Sequence, residues 1–102
     1  MKKYEAMFII KPDLKDEEKT GLMKLIKEQI AKYRGIVTAD QVWAERRKLA
    51  YDLFPLGGQA RFKEGMYYLV NFDCDPLEIK SLNSVYGLNE NILRFLILSM
   101  EK

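Results

Sequence analysis

IVTADQVWAERRKLAYDLF, residues 36–54, is a long run of β-branched, aromatic and polar side chains with no glycine or proline inside it. Such a run predicts an extended segment and not a helix. Its neighbours decide the topology. Residues 55–65, PLGGQARFKEG, hold three glycines and a proline and predict a loop. MYYLVNF, residues 66–72, then predicts another strand directly after that loop. Two strands therefore follow one another in mid-chain, and what lies on either side of them completes the fold.

On the N-terminal side, YEAMFII at 4–10 predicts a strand that Pro12 and Asp13 end. A helix follows. Asp16 suits its N-cap, Glu17 and Glu18 suit the positive end of its dipole, and Gly35 suits its C-terminal cap. Leu22, Leu25, Ile26, Gln29, Ile30 and Tyr33 recur at three- and four-residue spacing and give it one mostly apolar face. On the C-terminal side, Asp75 and Pro76 mark a second helix start. Leu77, Leu82, Val85 and Tyr86 outline its apolar side, and Gly87 stops it. ILRFLILSM, 92–100, predicts a last strand. The order β-α-β-β-α-β is the split βαβ, ferredoxin-like α+β arrangement: a four-stranded antiparallel sheet with two helices on one face.

The whole chain, 1–102, reads as one domain. Apolar residues at 48% and charged residues at 31% fit a folded protein with a small core. No stretch approaches the roughly 20 apolar residues of a membrane helix. The N-terminal run ends in Lys11-Pro12-Asp13 without a small-residue cleavage site, which argues against a signal peptide. A single cysteine, Cys74, excludes an internal disulfide and suits a reducing compartment.

Two helices cover one sheet face, so the other face should be polar. It does not read that way. In the first strand Tyr4, Ala6, Phe8 and Ile10 alternate with Met7 and Ile9; in the third, Met66, Tyr68, Val70 and Phe72 alternate with Tyr67 and Leu69. In the last strand Ile92, Leu96, Leu98 and Met100 alternate with Leu93, Phe95 and Ile97. A second apolar face of this size predicts a cover. The residues assigned to it are Met7, Ile9, Tyr67, Leu69, Leu93, Phe95 and Ile97. A protein partner, RNA bases, a second copy or a folded-back loop would each serve.

No catalytic constellation stands out. The chain has no histidine, the commonest general base. Asp73 and Asp75 flank Cys74 and disfavour its thiolate. The acids at 13, 16, 17 and 18 lack the spacing of a calcium loop. Lys11-Pro12-Asp13 stands where a phosphate-cradling glycine loop would follow the first strand. No metal or cofactor is expected.

Charge is more informative. The net charge is only +2 with a pI near 8.6, but Arg46, Arg47 and Lys48 are consecutive, and Arg61 and Lys63 follow in the adjoining loop. Closely spaced cations on an extended ribbon suit backbone phosphates. They also suit a charged edge that discourages sheet-to-sheet aggregation. In strict alternation Arg46 and Lys48 share a side and Arg47 points away, so one phosphate track for all three requires a bulge or a projecting ribbon. Lys2, Lys3 and Arg94 are further candidate RNA contacts.

An RNA-recognition motif shares this topology. Setting Gly65 on that motif's glycine puts Met66 and Tyr68 at its stacking positions, Tyr67 where a small residue is needed and Asn71 at the final aromatic. The aromatic content is there, out of phase.

A closer resemblance spans nearly the whole chain. KYEAMFIIKPDL at 3–14, Trp43, RRKLAY at 46–51, Gly65, Tyr67, Phe72 and NENILRFLIL at 89–98 resemble the bacterial ribosomal small-subunit protein six family. Departures from its pattern are Asp52 for a proline, Ala44 for a glycine, one extra residue between Trp43 and Leu49, which predicts a bulge, and a longer loop at 55–65. The resemblance implies a non-enzymatic component of the small ribosomal subunit in the cytoplasm. It implies binding to the central domain of small-subunit rRNA as a heterodimer with small-subunit protein eighteen. A single-stranded RNA binder of the RNA-recognition type, and a ligand-sensing homodimer on the same fold, are the other readings.

Overall fold

A computed structural model describes residues 1–53 and 62–100, with side chains described at 1–45 and 64–100. The elements are β1 (Lys2–Ile10), α1 (Asp16–Lys32), β2 (Ile36–Leu53), β3 (Phe62–Cys74), α2 (Ile79–Gly87) and β4 (Ile92–Ser99). A 3-10 turn, Pro76–Glu78, leads into α2. The strands form one sheet in the order β2-β3-β1-β4, and the three neighbouring pairs are all antiparallel. This is the expected ferredoxin-like α+β architecture. The loop expected at 55–65 is shorter, because residues 62–65 extend β3.

Even-numbered residues of β1 and β3 point at the helices. Ala6, Phe8, Ile10, Met66, Tyr68, Val70 and Phe72 are buried with Leu22, Ile26 and Ile30 of α1 and Leu82 and Tyr86 of α2 in one cluster. Both helices thus cover the same face. The Tyr86 ring meets Phe8 edge-on at 4.9 Å, and its hydroxyl donates a 2.6 Å bond to the Ile26 carbonyl. That bond links α2 to α1 and satisfies a phenol that would otherwise be costly to bury.

The helix ends differ in detail from expectation. Asp16 is the first helical residue and Lys15 is the N-cap; the Glu18 carboxylate accepts the Lys15 backbone N–H at 3.1 Å. Glu18 therefore does the capping, since a lysine side chain offers no acceptor. At the other end the left-handed residue is Arg34, with φ 67°, and not Gly35. Arg34 N–H bonds the Ala31 carbonyl at 3.0 Å and Gly35 N–H the Ile30 carbonyl at 2.8 Å. This is the paired bonding of a Schellman motif. Gly35 is needed for space: a Cβ there would lie 2.5 Å from Ile30 Cγ2 and 3.0 Å from the Ile30 carbonyl oxygen. Asp75 caps as expected, accepting the Leu77 N–H at 3.0 Å, but the turn it opens is 3-10 and α2 begins at Ile79. Gly87 is the last residue of α2 and not its stop; Leu88 is the C-cap.

Candidate functional site

Register decides which residues occupy the open face. Across β1 and β3, Met7 pairs with Leu69 and Ile9 with Tyr67, which places all four on the side away from the helices. Across β1 and β4, Phe8 pairs with Phe95, Ala6 with Ile97, Met7 with Leu96 and Glu5 with Leu98. Directly opposed residues share a face, so Phe95 and Ile97 belong with the helices and not with the open face. Both pack against the core, and the Phe95 ring lies 6.1 Å from Phe8 and 5.8 Å from Tyr86. Assignment of these two to the partner face is therefore corrected. Leu96 and Leu98, half exposed, take their place.

A bulge explains the exchange. Ile10 pairs with Ile92 but Ile9 pairs with Arg94, so Leu93 is an extra residue of β4 with no direct opposite. It changes the parity of the strand: Ile92 is even and buried, while beyond it the odd residues face inward. Leu93 consequently belongs to no aligned row of the open face.

The open face is graded. Toward the start of β1 it is polar, with Lys3 opposite Asp73 and Glu5 opposite Asn71. Its middle is apolar, with Met7, Ile9, Leu69 and Leu96; a shallow hollow of about 270 Å³ lies between Met7, Ile9, Arg94, Phe95 and Leu96. On the β2 side it turns aromatic. Val42 packs toward the core, and its neighbour Trp43 meets Tyr67 edge-on with centroids 5.5 Å apart. At that level of the sheet Arg94, Ile9, Tyr67 and Ala44 stand in one row across four strands.

One row further, Ile10 pairs with Met66 and Ile92, and past that row β2 and β3 continue alone. Among the described residues, 62–65 of β3 pair only with β2. The pairing slips between Val42 and Ala44 and again between Ala44 and Arg47, the region where a bulge was expected. Arg47 then stands opposite Gly65 and Lys48 opposite Glu64. Arg46, Arg47, Lys48 and Lys63 are thus carried on a two-stranded ribbon; Arg61 lies outside the described residues. Arg94, exposed, sits at the ribbon end of the sheet, next to Ile9. Lys2 and Lys3 stand at the opposite end of β1, seven or eight residues away from Ile10, about 23–26 Å along a strand.

The β2 edge is anchored to the body by a polar contact. Tyr68 donates a 2.7 Å hydrogen bond to Asp40 Oδ2, which also receives Lys27 Nζ at 3.3 Å. The tyrosine's hydrogen bond is the main cause that holds the Asp40 carboxyl below its ordinary value, and burial pushes the Tyr68 phenol well above its own.

The remaining candidates support no chemistry. Cys74 is buried, its thiol donates toward the Tyr33 carbonyl at 3.7 Å, and burial raises its pKa, the reverse of what a nucleophile needs. Among the described residues no group of three histidine, cysteine, aspartate or glutamate side chains could hold a metal ion. Met66 and Tyr68, the stacking positions of the RNA-recognition reading, are 1% and 0% exposed under the helices. Bases cannot stack there, and that reading loses its platform.

Residues 3–99 match the family model described as Ribosomal protein S6. The chain is 36% identical over 98 residues to the small ribosomal subunit protein bS6 of Caldanaerobacter subterraneus subsp. tengcongensis, covering 96% of each chain. It is 35% identical to the protein of that name from Helicobacter pylori, spanning 99% of this chain but 66% of the relative. The crystal structure of 30S ribosomal protein S6 from Thermotoga maritima superposes with a TM-score of 0.83 at 28% identity, covering 96% of this chain and 86% of that one.

Proposed function

The chain belongs to the ribosomal protein S6 family, and from that premise we propose that it binds the central domain of small-subunit rRNA directly, together with small-subunit protein eighteen. Its role in the small ribosomal subunit is structural, and its place is the bacterial cytoplasmic ribosome. The observation that carries the rRNA reading is the β2–β3 ribbon. It leaves the body of the sheet past Met66 and bears Arg46, Arg47, Lys48 and Lys63 on backbones that pair with nothing else among the described residues. A twisted ribbon with consecutive cations can follow a phosphate backbone, and phosphate contacts supply most of the affinity of such proteins. Arg61 would add to that track.

The protein partner is assigned to the apolar middle of the open face and its β4 side, where Met7, Leu69, Leu96 and Leu98 stand with Ile9. A net charge of only +2 supports a shared binding site, with the partner supplying further contacts.

The test is binding to a central-domain rRNA fragment at two salt concentrations, with and without small-subunit protein eighteen. Tight, salt-sensitive binding that needs the partner is the expected result. Equal binding to any unstructured RNA, unaffected by the partner, would overturn it.

A further inference from the structure

We infer that Trp43 is a stacking platform for an unpaired RNA base. This rests on the rRNA-binding reading of the ribbon and adds to it a second kind of contact. Phosphate contacts alone would let the ribbon grip any backbone, paired or not; a stacked base adds a preference for an unpaired nucleotide.

Three observations place the platform. Trp43 is 48% exposed, although it is the largest side chain the sequence encodes and the chain's single tryptophan. Tyr67 holds the indole edge-on, at an interplanar angle of 62°, so one ring supports the other and the indole is held in a set orientation. The tryptophan also stands at the root of the ribbon, in the slip between Val42 and Ala44, three to five residues before Arg46, Arg47 and Lys48. A half-exposed aromatic ring a few residues along the chain from closely spaced cations suits the arrangement by which proteins hold single-stranded nucleic acid, in which cations follow the phosphates and a ring takes a base.

The grading of the face separates this role from protein docking. Exposed Leu96 and Leu98 are on β4 at one edge of the sheet and Trp43 is on β2 at the other; the exposed aliphatic residue of β2, Ile36, stands at the far end of that strand opposite Asp73. The β4 side has methyl groups suited to an apolar protein surface, and the β2 side has the rings and the charge suited to a nucleotide.

Trp43 provides its own reporter. The experiment titrates the wild-type chain, with small-subunit protein eighteen present, with the central-domain rRNA fragment. It compares Trp43→Phe, Trp43→Leu and an Arg46→Ala/Arg47→Ala double variant, after circular dichroism confirms that each is folded. The difference in fluorescence between wild type and Trp43→Phe isolates the indole. The expected result is quenching of the indole by RNA, with Trp43→Leu binding about 5- to 100-fold more weakly. Its salt slope is unchanged, and Trp43→Phe lies close to wild type. Leucine retains apolar bulk but offers no ring, so this pattern belongs to stacking and not to packing. Two results would overturn it: Trp43→Leu binding as tightly as wild type while the double variant loses salt-dependent affinity, or an indole that responds to the protein partner and not to RNA. The first leaves the rRNA reading standing. Loss of binding by the wild-type chain itself would remove both.

Discussion

The Tyr68 hydroxyl, on the buried face of β3, donates a 2.7 Å hydrogen bond to the Asp40 carboxylate on the edge strand β2. It is an anchor at the base of the ribbon, because Asp40 precedes the first slip of the β2 register beyond it by only a few residues. Removing the donor in Tyr68→Phe leaves the ring packed and takes away one bond to a partly exposed carboxylate. The expected loss is about 1 kcal/mol in chemical denaturation at neutral pH, below the value for a fully buried charged bond because water screens Asp40.

The same pair sets the pH limits of this contact. Asp40 titrates below its ordinary 3.8 when folded, so its contribution is complete above that value and is lost as pH falls through the lower folded value. The phenols of Tyr68 and Tyr86 are raised above 10.0, Tyr68 by burial and the Asp40 bond, Tyr86 mainly by burial. Their protonated forms favour the folded state below pH 10, and that stability falls as pH rises from there toward the raised values. Thermal melts at stepped pH should show a loss on each side. Tyr68→Phe should reduce both, and an alkaline limb identical to wild type in that variant would refute the assignment.

Most of the fold was legible because turn chemistry and periodicity agreed. Asp75-Pro76, the glycine-rich stretch after residue 54 and the periodic apolar face of α1 each predicted one outcome, and together they allowed one topology. The faces of β4 were not legible. A bulge adds one residue without any composition signal of its own, and Leu93 looks like any other apolar strand residue. Counting by twos from Ile92 therefore put Phe95 and Ile97 on the wrong side. The candidate cations were legible as a run in the sequence, but their placement was not, because local spacing does not say where a ribbon leaves a sheet; Trp43 was legible only as part of the family resemblance. Arg34 was missed for a related reason: the following glycine drew the cap, yet steric room at Ile30 was what required it.

The corrected β4 faces predict opposite effects for neighbouring substitutions. Phe95→Ala removes a ring packed among Phe8 and Tyr86 and should cost about 2–4 kcal/mol in chemical denaturation. Leu96→Ser and Leu98→Ser alter half-exposed side chains and should change stability by less than about 1 kcal/mol. On the proposed reading, they should instead weaken binding to small-subunit protein eighteen in calorimetry. Equal destabilisation by Phe95→Ala and Leu96→Ser would place the strand the other way round.

The end of α1 allows a stabilising change. Arg34 holds a left-handed backbone, φ 67°, that disfavours a residue with a Cβ. Arg34→Gly should raise stability by about 0.5–1 kcal/mol, the relief being partly offset by a freer unfolded chain. Gly35→Ala should do the reverse by about 1–3 kcal/mol, since its Cβ would press on Ile30 at 2.5 Å. A thermal denaturation series of the two variants checks both signs at once.

The sheet separates the cations into two groups, and salt dependence can tell them apart. Arg94 stands at the ribbon end; Lys2 and Lys3 stand at the other end of β1, where Lys3 is opposite Asp73. Lys2 and Lys3 lie about 23–26 Å along β1 from Ile10, away from the proposed phosphate track of the ribbon. Removing one cation from a phosphate should lower the slope of log affinity against log salt by about 0.7–0.9. Arg46→Ala/Arg47→Ala should therefore lower it by about 1.4–1.8 and Arg94→Ala by about 0.7–0.9, while Lys2→Ala/Lys3→Ala should leave it unchanged. The measurement is filter binding of the central-domain fragment over a salt series with the protein partner present. A slope that falls only for the Lys2/Lys3 variant would put the phosphate track at the polar end of the open face and leave the ribbon as a charged edge that keeps sheets apart.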